Sequence, residues 1–274
     1  MSVSLLVGKL LTTIFIVLGL SWVAERVDTR IAGLLSGMPL GALLILTFIG
    51  YDLGPEFAAE SALYAIPSVA GTLTFASLFY LLSRWDHPLN LLITVTGSLL
   101  GYFIVVFLLS QFSFNLPGAL SIGIFSILVA GRALKGISDT QVVSHVRLTA
   151  RHLIFRAGMA AFFVIVFTGI AEIVGPRWSG LLVGFPITFL PLLLIIQLTY
   201  SKHQAHTVIR NFPLGLGGLL TYLTIANQSL PSFGTGPGIL TSLIGSLVYL
   251  ALIGYIFNRR NPRRAQEAEN AGDV

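Results

Sequence analysis

The sequence predicts an all-α integral membrane protein: about nine transmembrane helices, arranged as two inverted four-helix repeats joined by a linker helix (4+1+4). Three observations predict it. Of 274 residues, 55% are hydrophobic and only 10% are charged. A soluble domain carries about 25% charged residues, so this chain cannot cover a water-facing surface. Successive apolar stretches approach or exceed the roughly 20 residues that a spanning helix needs. Finally, the pattern A-E-x-V-x-x-R-x-x-G-L-L-x-G-x-P occurs twice, at Ala24–Pro39 and Ala171–Pro186, 147 residues apart.

The apolar stretches run 4–23, 33–50, 61–82, 89–110, 117–131, 153–174, 179–198, 208–227 and 237–257. The first lacks the basic start and small-residue cleavage site of a signal peptide and reads as a retained span. The second opens with the repeated pattern. The fifth, PGALSIGIFSILVAG, is short and reads either as a full span or as a re-entrant segment, so charge decides the count. With nine spans, 13 Lys and Arg fall on one side and Arg177 alone on the other, with Lys9 and Arg156 inside spans; with eight, the tally is 10 against 4. The positive-inside rule favours nine, with the N-terminus outside and the C-terminus cytoplasmic. Short loops and the lack of a soluble domain point to a bacterial inner membrane. The net charge of +5 then belongs to cytoplasmic loops facing the lipid bilayer, not to a nucleic-acid surface.

Loop 132–152 is polar and basic and divides the chain, while 259–274 is charged and reads as a disordered tail anchored on lipid headgroups. The expected organisation is a first four-helix repeat at 1–112, a linker helix and basic loop at 113–152, a second repeat at 153–258, and the tail. The likeness between halves extends past the pattern. Lys9 falls opposite Arg156 at the same offset, AIPSVAG at 65–71 matches NFPLGLG at 211–217 in its Pro and Gly spacing, and TGSLL at 96–100 resembles IGSLV at 244–248. An odd number of crossings between the copies turns the second upside down, as in many secondary transporters.

The pattern itself carries chemistry. Pro39 and Pro186 have no amide hydrogen and cannot continue a helix, yet suit its first position. Gly37 and Gly184, two residues earlier, allow backbone that other residues avoid. Each copy thus predicts a broken span with a fresh half-helix starting at the proline. The free amides beyond it, including those of Leu40 and Gly41, then carry the positive end of a helix dipole. Two such ends near the midplane suit an anionic or strongly polar solute. The plainer alternative is a pair of proline kinks used for packing.

Arg30 and Arg177 precede their prolines by nine residues, and Glu25 and Glu172 precede each arginine by five. Each Arg–Glu set reads as an interfacial anchor or as a gate closing one face in turn. Lys9 and Arg156 either snorkel to the interface or face the interior as counter-ions to a solute. The glycines at 71, 97, 101, 217 and 245 read as helix-packing positions. YDLGPEFAAES, with Asp52, Glu56 and Glu60, reads as a solvated external turn.

The chain has no cysteine, and no H-E-x-x-H, P-loop or G-x-S-x-G pattern. His145, His152, His203 and His206 are expected in cytoplasmic loops, where the last two could share a helix face and bind metal or simply be solvated. No cofactor, metal or enzymatic activity is expected. R-x-x-G-L-L-x-G-x-P followed by LGALLILTFIGYDLGPEFAAE resembles uncharacterised bacterial multi-pass membrane proteins, some of them a single four-span unit. In length and inverted duplication the chain is also similar to small drug/metabolite-type transporters, which are built from five-span repeats; the likeness implies architecture alone. The expected function is secondary transport of a small polar or anionic solute. A membrane scaffold or assembly factor using loop 132–152 and the tail is the alternative, and a channel the third. A homo-oligomer is compatible with any of them.

Overall fold

The computed structural model describes residues 8, 11–15, 39–85, 87, 89–138 and 150–260. Every regular element among them is helical. The helices are α1 (Leu40–Asp52), α2 (Pro55–Ser83), α3 (Asn90–Leu109), α4 (Leu116–Ala133), α5 (Ala150–Val183), α6 (Phe189–Thr199), α7 (Lys202–Phe233) and α8 (Thr235–Arg260), with a 3-10 turn at Leu134–Gly136 after α4. Five of them, α2, α3, α4 with its turn, α5 and α8, are long and apolar enough to cross a membrane. α7 matches them in length, but His203, Gln204, His206, Arg210 and Asn211 dilute its apolar character. α1 and α6 are apolar but have only 13 and 11 residues, roughly half a bilayer each at 1.5 Å per residue. This is the make-up of an all-α membrane protein.

Burial separates the helices into two groups. α2 and α7 form the centre: Ile66, Phe75 and Phe79 of α2 and Tyr222, Leu223 and Ala226 of α7 are wholly buried. α3, α4 and α8 form the outside, where Leu100 and Phe107, Phe125 and Leu128, and Ile244 and Leu252 are exposed. Large apolar side chains facing outward in this number are expected against lipid, not water.

Three turns use a glycine in the left-handed region: Gly54 (φ 99°), Gly175 (φ 76°) and Gly234 (φ 78°). Gly54 and Gly175 each stand directly before a proline that opens the next helical limb, the arrangement that fixes φ at a helix start. At Gly175 the long helix α5 folds back on itself, so its two limbs, either side of that turn, correspond to two successive apolar stretches of the sequence. The acidic turn is much shorter than the sequence suggested. Gly54 and Pro55 close it within two residues, so Glu56 and Glu60 lie on α2, where both are exposed. The fifth stretch forms a helix of 18 residues that, with the turn after it, is long and apolar enough to cross a membrane.

Contacts along α2 and α7 show that the two run antiparallel. Ser83 Oγ lies 2.7 Å from His206 Nε2 at one end, and Asn227 Nδ2 donates to Ala59 O at 2.9 Å at the other. These contacts define two faces. The first gathers the α1–α2 turn, the α3–α4 connection, the Gly175 turn and the start of α8, joined by Thr235 Oγ1 to Gly50 O at 2.9 Å and Arg177 to Ser110 O at 3.2 Å. The second gathers the α2–α3 connection, the end of α4, and the starts of α5 and α7. It is joined by Arg210 to Ile137 O at 2.8 Å and by Thr199 Oγ1 and His152 Nε2 at 3.2 Å. Helix bounds also recur: shifted by 147, α1, α2 and α3 fall on 187–199, 202–230 and 237–256, against α6, α7 and α8 at Phe189–Thr199, Lys202–Phe233 and Thr235–Arg260.

Candidate functional site

The two prolines of the repeated pattern line one cavity. Its wall comprises Pro39, Gly41 and Ala42 from the start of α1, residues 183–189 around the break between α5 and α6, Thr72 of α2, and Phe212, Leu216 and Leu219 of α7. Its volume is about 30 Å³, room for about two water molecules at the ~10–15 Å³ each requires.

α1 begins at the proline as its sequence requires. Leu43 N–H gives the first helical bond to Pro39 O at 2.6 Å. No side chain caps this end, so the amides of Leu40, Gly41 and Ala42 precede the ladder and have no partner within it. The second break is longer than the sequence suggested. α6 starts at Phe189, not at Pro186, because a second proline interrupts the ladder. Leu190 N–H bonds Pro186 O at 2.9 Å, but Pro191 has no hydrogen to give Ile187 O, and the bonds become continuous only from Phe189. Leu44 occupies the matching place in α1, which therefore has no gap.

Neighbouring helices hold this second break. Thr72 Oγ1 donates to Gly184 O at 2.5 Å, and Tyr102 Oη to Leu181 O at 2.7 Å. Phe185 packs its ring against Phe163, Phe167 and Tyr102, and Phe189 stacks on Phe212 at 3.6 Å. The short limb of α5 comes so close to α2 that a methyl group on Gly180 would lie 2.2 Å from Ser61 O, and one on Gly184 would collide with Ser68 Oγ. Glycine is required at both places by this approach, not by a special φ.

From the cavity the half-helices leave in opposite directions. α1 ends on the first face, where Gly50 O accepts from Thr235. α6 ends on the second, where Thr199 meets His152. The positive ends of two helix dipoles therefore meet at the cavity, each adding a partial charge that favours an anion. Among the described residues, no Asp, Glu, Lys or Arg lines it.

No protein-family model, no curated protein and no solved structure matches the chain.

Of the residues singled out in the sequence, the structure brings Pro39, Gly184 and Pro186 together at the cavity. Leu40 is buried beside them without lining it. Lys9, Glu25, Arg30 and Gly37 lie outside the described residues. Arg156 is 7% exposed, and its Nε has no hydrogen-bond partner, yet it does not line the cavity. It lies four residues deeper than His152 on α5, about 6 Å by helical rise, between the second face and the cavity. Glu172 and Arg177 do not form the expected pair. Glu172 is exposed, and Arg177 reaches the α3–α4 connection instead: Nη1 to Ser110 O at 3.2 Å, Nη2 to Ser113 Oγ at 3.0 Å, with its guanidinium 5.3 Å from the Tyr64 ring centre. The Gly175 turn reverses the chain between residues 172 and 177 and points the arginine away from the carboxylate.

His206 is not in a loop. It sits in the first turns of α7, buried against Ser83 and edge-on to Tyr80. No group of three or more His, Cys, Asp or Glu among the described residues is placed to hold a metal. Sequence reasoning missed Thr72, Thr188 and Phe212. Thr188 follows Pro186 by two residues and was within reach of the pattern. Thr72 and Phe212 become part of the site only through packing of distant segments.

Proposed function

We propose that the protein is a secondary transporter of a small polar or anionic solute, working by alternating access about the cavity between Pro39 and Pro186. The observation that carries this reading is that two half-helices begin at one cavity and end on opposite faces. Irregular backbone is tolerated at membrane depth only inside protein or against a water-filled cavity, and transporters use such ends to hold solutes at the midplane. A scaffold has no need of a break at 184–188, since continuous kinked helices would pack as well.

In this reading the chain has nine spans in a 4+1+4 order, with α4 as the linker. α1, α2 and α3 correspond to α6, α7 and α8 in inverted orientation, which the recurring helix bounds and the antiparallel course of α2 and α7 support. The contact of Ser83 with His206 and that of Ala59 with Asn227 are close to images of one another under the 147-residue shift. Among the described residues, the second face carries Arg84, Arg132, Lys135, Arg151, Lys202 and Arg210, against Arg177 on the first, so the second face is taken as cytoplasmic. The membrane is a bacterial inner membrane. Alternating access requires Gly184–Thr188 and the start of α1 at Pro39–Gly41 to part from their neighbours in turn. Arg156 flanks the route from the cavity to the cytoplasm.

Uptake into proteoliposomes of purified full-length protein tests the proposal. A labelled solute panel of organic anions, inorganic ions and amino acids is expected to yield saturable flux of at least one small member. Flux should be reduced at least tenfold in Gly184→Val, where the added bulk meets Ser68. No flux of any member by folded protein contradicts it.

A further inference from the structure

Thr188 makes no hydrogen bond through its side chain. It is 8% exposed and lines the cavity. Although it occupies the cap position of α6, its hydroxyl caps nothing. The residue is buried as a whole while its unpartnered hydroxyl stays accessible at the cavity wall, a donor and acceptor open to a ligand.

The rest of the lining is rich in donors and poor in acceptors. Of the six carbonyls from Leu182 to Ile187, four already accept. Leu182 O takes Phe185 N–H, Phe185 O takes Ile187 N–H, Pro186 O takes Leu190 N–H, and Gly184 O takes the Thr72 hydroxyl. Against these stand the amides of Gly41, Ala42, Thr188 and Phe189, all from lining residues, which neither the two ladders nor a side chain engages. A cation site built from unwound backbone needs free carbonyls; here they are mostly filled. The apolar remainder, with Phe185, Phe189 and Phe212, raises the weight of each donor by excluding water.

We infer that this cavity takes a small monovalent anion, held by the Thr188 hydroxyl and the amides of Gly41, Ala42, Thr188 and Phe189. The volume of about 30 Å³ limits the ligand to the size of chloride, nitrate or formate. Divalent anions are disfavoured, since among the described residues no arginine or lysine lines the cavity to balance a second charge. Thr188 sets specificity as a donor, and Thr72 positions the break by occupying Gly184 O. This inference rests on the transporter reading for its physiological meaning, but binding can be measured without it.

The test is thermal unfolding of the purified full-length chain in sodium formate, sodium nitrate or sodium chloride, with sodium gluconate at equal ionic strength as the oversized control. At least one small anion is expected to raise Tm in a saturable way relative to gluconate. In Thr188→Val the half-saturating concentration should rise roughly tenfold or more, the effect of losing one hydrogen bond to a charged group, while Thr188→Ser keeps it. Thr188→Ala serves the same purpose should the valine variant not fold. No saturable shift, or equal half-saturation in Thr188→Val or Thr188→Ala, overturns the inference. Proteoliposome flux separates it from the broader reading. Carriage of a neutral or cationic solute, with no anion binding, overturns the anion site and leaves the transporter. Saturable anion binding without flux of any solute upholds the site and overturns transport.

Discussion

Thr72 and Gly184, 112 residues apart in the chain, are joined by a hydrogen bond of 2.5 Å from the threonine hydroxyl to the glycine carbonyl. This bond ties a central helix to the backbone of a broken one, at the wall of the cavity. It couples the shape of the site to the packing of α2, and the break cannot move without either breaking the bond or taking α2 with it.

Thr72→Val should therefore cost stability. Removing the donor leaves Gly184 O buried and unsatisfied, a loss of about 1–3 kcal/mol. Thermal unfolding in detergent should show a lower Tm for Thr72→Val and a near-normal one for Thr72→Ser. Equal Tm values for the valine variant and the parent would show that the bond does not hold the break.

Packing of the short α5 limb on α2 predicts a contrast between two glycines. A methyl group on Gly180 would meet Ser61 O at 2.2 Å, whereas one on Gly158 meets nothing within 4 Å. Gly180→Ala is expected to lose about 1–3 kcal/mol by overpacking against backbone that cannot yield. Gly158→Ala, in a helix interior, should be neutral or slightly stabilising. The measurement is denaturation of both variants side by side, and equal stability would contradict the close approach.

Arg177 gives a third prediction. Its bonds to Ser110 O and Ser113 Oγ and its place near the Tyr64 ring make it a tie between the Gly175 turn and the α3–α4 connection. Arg177→Ala should lower stability by roughly 1–2 kcal/mol, allowing for its partial exposure, and speed proteolysis in the 110–115 segment. Glu172→Gln should do neither, because the carboxylate is exposed and does not pair with the arginine. If the two variants behave alike, the pairing that the sequence suggested is restored.

The all-helical membrane class and five of the spans were legible because hydropathy alone bounds them, and the break at 184–188 because Gly-x-Pro in an apolar helix has few other uses; the residues before Pro39 lie outside the described ones. The start of α6 was not, since it depends on Pro191 removing one rung, a place where Leu44 made the first copy look like the better guide. Arg177 and Glu172 are five residues apart and read as partners along one segment, but the left-handed turn at Gly175 puts them on different courses. Thr72 and Phe212 reach the cavity only through tertiary packing, which no local pattern encodes.

His206 predicts a pH dependence. It lies at the polar end of α7, ahead of the apolar stretch at 208–227. Burial first, then the nearby His203, Lys202 and Arg84, hold its pKa down to about 4 from the ordinary 6.5. Between those values the unfolded chain takes up a proton that the folded chain refuses. This contribution to stability is complete above about pH 6.5, declines as pH falls, and levels off below about pH 4. His206→Gln should flatten that part of a Tm-against-pH curve, and an unchanged slope would place the titration elsewhere.

Alternating access means that the cavity between Pro39 and Pro186 opens to each face in turn. The chain has no cysteine, so Thr188→Cys introduces a single thiol into the cavity wall. Reconstituted in vesicles, this variant can be challenged with a charged, membrane-impermeant thiol reagent from outside or, trapped, from inside. Labelling is expected from both sides, slower from each in the presence of the transported solute, with no leak of the reagent across the membrane. Labelling from neither side would contradict it and leave a closed structural bundle. Labelling accompanied by free passage of the reagent would make the protein a channel.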